Sequence, residues 1–321
     1  MSQLMIEVEH LSKIYGSTIA IKDIHFTVAP GEVIGFLGSN GAGKTTTMRI
    51  LAGYLPATTG TAKIAGYDVH RHSMQVRRQI GYLPETPPLY PDMTVKGFLN
   101  FVAKIKGIRS SDRRRQVEKA MARCQLLEKA DIAIRKLSKG YRQRVGIAQA
   151  IVHEPPVIIL DEPTVGLDPL QIIEVRNLIK SLAGEHTIIL STHILPEASM
   201  ICDRVIIINR GEVITTNTPK DLQAQLMGNC IYEIEVSGEI EPILPLLSKV
   251  VGVEYVNNTI LDNGSRYLIN VTCQPNTEPG KDLASLIINQ GLSLHELRRT
   301  RPSLEDIFLE LTTEEALNDN F

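Results

Sequence analysis

Gly38-Ser39-Asn40-Gly41-Ala42-Gly43-Lys44-Thr45 is a G-x-x-x-x-G-K-T octet, built from the residue types that let a backbone wrap around phosphates. Glycines take conformations that a Cβ forbids, so successive amide N–H groups can face one anion. In that pattern Lys44 would reach the β- and γ-phosphates, and the Thr45 hydroxyl would ligate Mg²⁺. The flanks fit. Glu32-Val33-Ile34-Gly35-Phe36-Leu37 reads as a buried strand, and Thr46-Thr47-Met48-Arg49-Ile50-Leu51 as the first turns of a helix. The positive end of that helix adds its own attraction for an anion. The stretch from Gly38 to Thr46 is expected to bind a nucleotide.

Two carboxylates make sense beside it. In Val157-Ile158-Ile159-Leu160-Asp161-Glu162-Pro163 the apolar run has no alternation, the pattern of a strand buried on both faces of a parallel sheet. Such strands place ligands at their C-terminal ends. With a nucleotide on the loop, Asp161 would hold Mg²⁺, and Glu162 would accept a proton from the attacking water or orient it. His193 follows Thr187-Ile188-Ile189-Leu190-Ser191 and Thr192. It could donate to the γ-phosphate or to that water, although a lone histidine is more often structural.

A second anion-binding end is written into Leu137-Ser138-Lys139-Gly140-Tyr141-Arg142-Gln143-Arg144. Ser138 can cap a helix running from about Tyr141 to Val152, whose N-terminus offers free N–H groups. An ordinary capped helix has the same pattern. If the end is functional, one chain has little use for two such ends on the same phosphates. Two chains packed head to tail could each contribute one.

These motifs, in this order, resemble the ATPase subunit of ATP-binding-cassette (ABC) transporters over about the first 225 residues. The marks are the phosphate loop, the Ser138 signature, Ile158 to Pro163, Gly166-Leu167-Asp168 and Ser191-Thr192-His193. The resemblance implies ATP and Mg²⁺ as cofactors and hydrolysis to ADP and phosphate. It makes Tyr15 the aromatic residue that stacks on adenine, Glu162 the catalytic base and His193 the switch histidine. Asp168 becomes the link between the two sites of a dimer. Ser138 and Gly140 face the γ-phosphate across that dimer. Glu85 stands where the family usually has a glutamine that reaches Mg²⁺ and whose loop meets the membrane partner. Glu85 keeps an oxygen ligand but adds a charge. Lys139 and Tyr141 replace the usual glycine and glutamine of the signature.

The form Tyr82-Leu83-Pro84-Glu85 and the tail Arg301-Pro302-Ser303-Leu304-Glu305-Asp306-Ile307-Phe308 resemble the subgroup that powers drug-resistance, sodium-efflux and gliding-motility-associated exporters. The implied partners are a separate transmembrane permease and a second ATPase subunit, either another copy or a paralogue. The implied location is cytoplasmic, on the inner face of the membrane through the permease. Two other cellular roles share these motifs: ATP-dependent regulation of a membrane complex without transport, and a cassette acting on ribosomes or DNA. The latter usually carries two cassettes or a long coiled-coil insertion, and this sequence has neither.

The elements that would position these residues can be read around them. The fold class expected is α/β: a phosphate-loop NTPase core with an antiparallel β subdomain and a helical insert, plus a small α+β, ferredoxin-like C-terminal domain. The boundaries expected are 1–228 with the insert at about 86–153, and 229–321. Ile6, Val8, Ile24, Phe26 and Val28 alternate as strands. Helices are expected from Thr94, from Ser110 to Leu127 behind a Ser-Ser-Asp cap, at Leu170 to Leu182, Pro242 to Val250, Lys281 to Asn289 and Ser303 to Leu311. Val205 to Asn209 and Glu212 to Thr216 read as a hairpin, and Asn263-Gly264 as a second hairpin turn. In the second domain the order β-α-β-β-α-β is the split ferredoxin-like arrangement.

Composition sets the outer bounds. The chain has 321 residues, 43% of them hydrophobic, enough for two cores. A net charge of -2 supplies no basic field, so no nucleic-acid partner is expected. Arg113-Arg114-Arg115 reads as a solvated helix face. The four scattered cysteines imply free thiols in a reducing compartment. No basic leader precedes an apolar core, and no run nears the roughly 20 apolar residues of a membrane span. The protein is expected to be soluble by itself.

Overall fold

The structure, a computed structural model, describes residues 4–226, 231–261, 266–274 and 277–300. Alternation builds its first layer. Ile6 and Val8 point inward from β1 (Ile6–Tyr15), and Ile24, Phe26 and Val28 from β2 (Thr18–Val28). His10 and Asp23 take left-handed backbone angles, φ 49 and 48. The register shifts there, which is how Leu11 and Ile21 also come to face inward. The stretch between the two predicted runs therefore continues both strands.

β3 (Val33–Leu37) is buried throughout and feeds the phosphate loop, after which α1 (Lys44–Leu51) begins. β4 (Thr59–Ile64) and β5 (Tyr67–Asp68) join the first two strands in an antiparallel sheet of order β2-β1-β4-β5. α2 (Ser73–Gln79), which the sequence reading did not include, leads straight into β6 (Ile80–Leu83). The helical insert holds α3 (Val95–Ile105), α4 (Ser110–Arg123) and α5 (Lys139–Ile151). Thr94 caps α3 by accepting from Gly97 N. The expected Ser-Ser-Asp cap of α4 is corrected: these residues lie inside the first turn, and Arg109 precedes them without a side-chain cap. Asp112 pairs there with Arg115, and Arg114 pairs with Glu118 in the open, as befits a solvated face.

The chain then lays down β7 (Val157–Asp161), α6 (Pro169–Leu182), β8 (Thr187–Thr192) and α7 (Leu195–Ile201), another unpredicted helix. β9 (Arg204–Asn209) and β10 (Glu212–Asn217) form the expected hairpin. Together the strands make a six-stranded sheet of order β10-β9-β3-β8-β7-β6, with β9 to β6 all parallel. Parallel strands end on one edge. The ends of β3, β6, β7 and β8 and the chain segments after them therefore emerge side by side, and these carry the predicted phosphate loop, Glu85, Asp161, Glu162, Asp168 and His193. Below them, side chains of both sheets share one core, in which the Phe26 and Phe36 rings lie 5.3 Å apart.

The first compact unit ends at Pro219 and the second begins at Lys220, ahead of the expected boundary between 228 and 229. After α8 (Pro219–Leu226) come β11 (Ile231–Ser237), α9 (Leu244–Leu247), β12 (Val253–Ile260), β13 (Tyr267–Cys273), α10 (Gly280–Asn289) and β14 (Ser293–Thr300). Their antiparallel sheet has the order β12-β13-β11-β14, with Tyr232, Ile234, Val236, Ile269 and Val271 in a core with Leu247, Leu283 and Ile287. The helix expected over Pro242 to Val250 is only α9, because Pro245 has no N–H for an interior position and must sit in the first turn. The Asn263-Gly264 turn, the Ser303 to Leu311 helix and Cys230 lie outside the described residues. Cys124, Cys202 and Cys273 are buried and unbridged.

One close approach sets where α5 lies. A Cβ on Gly81 of β6 would sit 2.1 Å from the Ala150 carbonyl oxygen of α5, so the helix can rest on the sheet edge only over glycine. Gly81→Ala is expected to cost about 1–3 kcal/mol, read as a lower urea midpoint. An unchanged midpoint would contradict this contact.

Candidate active site

The phosphate loop closes under its own constraints. Gly43 stands at φ 107, and a Cβ there would lie 2.7 Å from the Ala20 carbonyl oxygen, so β2 and the loop meet only at glycine. Above them opens a cleft of about 360 Å³. Asn40, Gly41 and Gly43 to Thr46 form its floor, and Ala20, Glu85, Glu162, Val165 and His193 its walls. Ala42 is buried beneath it. Gly38 and Ser39 contribute carbonyls, which accept from Lys44 Nζ at 2.8 and 3.1 Å.

The strand ends supply the charge. Asp161 is 1% exposed. Its Oδ1 accepts from Ser191 Oγ at 2.7 Å and from Thr45 Oγ1 at 3.1 Å. Its Oδ2 is buried with no partner. Burial pushes the Asp161 carboxyl above the usual range; the Ser191 and Thr45 hydrogen bonds oppose this, and the charges of Glu162 and Glu85 add to it. An unpartnered, ionisable oxygen beside a threonine hydroxyl is an all-oxygen donor set suited to a hard cation. Among the described residues no group of three or more His, Cys, Asp or Glu could hold a metal by itself. Ligand oxygens would have to complete the shell.

Glu162 follows with φ 49, a left-handed angle that costs a non-glycine residue of order 1–3 kcal/mol. Ser191 Oγ accepts from its backbone N at 2.9 Å and helps hold that angle. The two carboxylate oxygens are divided: Oε1 lies 3.3 Å from Lys44 Nζ, and Oε2 lies 2.9 Å from His193 Nδ1. An ionised carboxylate only accepts, so that ring nitrogen carries the hydrogen. Loop lysine, carboxylate and histidine are thus in one chain of contacts.

The remaining predicted residues stand apart from the cleft lining. Tyr15, at the turn from β1 to β2, is 46% exposed, with the Lys13 ammonium 5.1 Å from its ring centroid. Ser138 caps α5 by accepting from Tyr141 N at 3.4 Å. Gly140 is buried against the Gln171 side chain, and Asp168 caps α6 by accepting from Gln171 N at 2.9 Å. The start of α5 and the Asp168 turn therefore touch each other in one chain. Ser191 joins the site without a role assigned from the sequence, through its hydrogen bonds to Asp161 and Glu162. Its signal was a hydroxyl ending an apolar strand, and pairing of β7 with β8 sets it opposite Asp161. Ala20 and Val165 carried no signal at all.

The family model described as ABC transporter matches residues 21–165. The linearmycin resistance ATP-binding protein LnrL of Bacillus subtilis is 30% identical over 96% of this chain and 98% of its own length. The Nod factor export ATP-binding protein I of Paraburkholderia xenovorans is 32% identical over 98% and 99%. A solved dimeric ATP-binding cassette, in a post-hydrolysis state bound to ADP and Pi, superposes with a TM-score of 0.61 at 26% identity, covering 67% of this chain and 99% of its own. The chain belongs to the ABC transporter family, as an ATP-binding subunit with ATPase activity. Cassettes of this family act as dimers and with membrane subunits. Among the described residues no helix is long and apolar enough to cross a membrane.

The buried Asp161 leaves a measurable signature. A carboxyl raised in the folded state holds its proton more tightly there than in the unfolded chain. Stability is therefore lost as pH rises from the ordinary carboxylate value through the raised one. In nucleotide-free protein at pH 7, Asp161→Asn is expected to unfold at a higher temperature than the wild type, with the gain shrinking as the pH falls to 4. A variant that is no more stable at pH 7 would contradict the cost assigned to this charge.

Proposed function

We propose that this chain energises export through a separate transmembrane permease, by ATP-driven closure of a dimer formed with another copy or a paralogue. The observation that carries the mechanism is the direct contact of Lys44 and His193 with the two oxygens of Glu162. ATP on the Gly38–Thr46 loop draws Lys44 onto the β- and γ-phosphates, which frees Glu162 Oε1. Glu162 then takes a proton from the water attacking in line, and His193, carrying a second proton on Nε2 while Nδ1 stays on Glu162, donates to the γ-phosphate or to that water. Mg²⁺, held by Thr45, Asp161 and Glu85 together with phosphate oxygens, would neutralise the charge on the β- and γ-phosphates.

In this reading Tyr15 stacks on adenine, and its exposed ring is free to do so. Ser138 and Gly140 of the second subunit face the γ-phosphate, and Asp168 links the two sites. The position of Ser138 at a solvent-exposed helix start, outside its own chain's cleft, supports a partner in trans. Once phosphate is lost these contacts lapse and the dimer opens. The loop Glu85-Thr86-Pro87-Pro88-Leu89-Tyr90 would pass that motion to the permease. A groove of about 650 Å³ beside it, lined by Tyr54, Met74, Tyr82, Pro88, Ile105 and Lys106 among others, offers a mixed surface for a permease segment. The near full-length similarity to resistance and export subunits supports export as the direction. The place of work would be the cytoplasmic face of the membrane, through the permease, with no nucleic-acid partner.

Glu162→Gln is expected to slow ATP hydrolysis by about 10²–10⁴-fold while keeping ATP binding, and to accumulate an ATP-bound dimer on size exclusion. Wild-type turnover would remove Glu162 as the base. Lys44→Ala should weaken ATP binding by about 10–100-fold, measured by titration calorimetry, and unchanged affinity would contradict its assigned phosphate contact.

A further inference from the structure

Glu197 takes no part in the mechanism above, yet it is a buried carboxylate, 7% exposed, in the first turn of α7. Burying such a group is costly unless donors meet it. Here two hydroxyls converge on one oxygen: Thr164 Oγ1 donates to Glu197 Oε2 at 2.7 Å, and Thr192 Oγ1 donates to it at 3.3 Å. Each hydroxyl has a single proton, so both side chains are committed to Glu197. Thr192 Oγ1 also accepts from Ile194 N at 3.0 Å, which fixes the turn containing His193.

The positions of the two threonines give the contact its meaning. Thr164 lies two residues past Glu162, across Pro163, and Thr192 directly precedes His193. The contacts therefore close a ring that runs from Glu162 through Thr164, Glu197 and Thr192 to His193, and back through the 2.9 Å contact of His193 with Glu162. β7 and β8 pair only as far as Asp161 and Ser191. Beyond that point the sheet ladder no longer sets the spacing of the two chains, and Glu197 links them on the far side of the pair.

We propose that Glu197 is a positioning residue for the hydrolytic pair, an inference that rests on Glu162 and His193 acting as proposed. It fixes the segment after β7 to the turn after β8. Glu162 and His193 then stay in register when Lys44 leaves Glu162 for phosphate. A contact that served only to hold α7 in place would change stability without regard to which catalytic step is measured.

The test is steady-state ATP hydrolysis by purified full-length variants. Glu197→Ala is expected to lower kcat by about ten- to a hundredfold while the KM for ATP stays within about twofold. Glu197→Gln keeps an acceptor oxygen and should recover most of the lost kcat. In a His193→Ala background, Glu197→Ala should cost less than about twofold more, because the group it positions is already gone. If Glu197→Ala does not fold, Thr164→Val carries the test, with lower kcat and unchanged KM expected. Unchanged kcat in these variants would overturn the proposal, as would a loss explained by the folded fraction or the full loss repeated in the His193→Ala background. Wild-type turnover in both Glu162→Gln and His193→Ala would instead remove the pair itself, and the inference with it.

Discussion

Charge that cannot reach water must be answered locally, and this constraint organises the whole edge of the parallel sheet. Lys44, Asp161 and Glu162 are all nearly buried, and each is matched by a group from a different segment. Lys44 is held by two loop carbonyls and by Glu162. Asp161 is held by hydroxyls from α1 and β8. Glu162 is shared between Lys44 and His193. Such partnered charges are weak stabilisers, since desolvation consumes most of the attraction. Their value is positional: none of them can move without a replacement for its partner.

That property suits a site whose work depends on a ligand arriving and leaving. In the proposed mechanism an incoming γ-phosphate brings the negative charge that replaces Glu162 beside Lys44, and the released carboxylate becomes available to a water molecule only when substrate is present. The orphaned Asp161 Oδ2 tells the same story from the other side. It is a buried acceptor kept without a donor, and its satisfaction depends on what binds. The free protein bears that cost, as functional sites commonly do.

The second constraint is backbone geometry. All four segments reach the cleft because β3, β6, β7 and β8 run parallel and end together. β8 lies between β3 and β7, which sets Ser191 beside Asp161 and lets one hydroxyl serve both Asp161 Oδ1 and the strained Glu162 N–H. Glycine fixes the approach of neighbouring layers, at Gly43 under Ala20 and at Gly81 under α5. The start of α5 and the Asp168 turn meet through Gly140 and Gln171, so the two segments proposed to face a second subunit are built against each other within one chain.

The phosphate loop, the Asp161-Glu162 pair, the buried strands and the β-α-β-β-α-β order of the second unit were all legible from the sequence. Each is a local pattern: glycine spacing, an unbroken apolar run or a period of two. The short helices α2 and α7, the true start of α4 and the length of α9 were not, because packing and a single proline decided them. Nor could composition tell that Ser191 joins Asp161 to Glu162, or that Glu197 joins Thr164 to Thr192. Ser191 lies 30 residues from Asp161, and Glu197 lies 33 from Thr164; only sheet order and register bring those groups within a hydrogen bond. Sequence by itself determined which chemistry the chain can hold, since that depends on residue type and local spacing. Tertiary structure alone decided which groups neutralise one another, since that depends on distance in space between segments with no local relation.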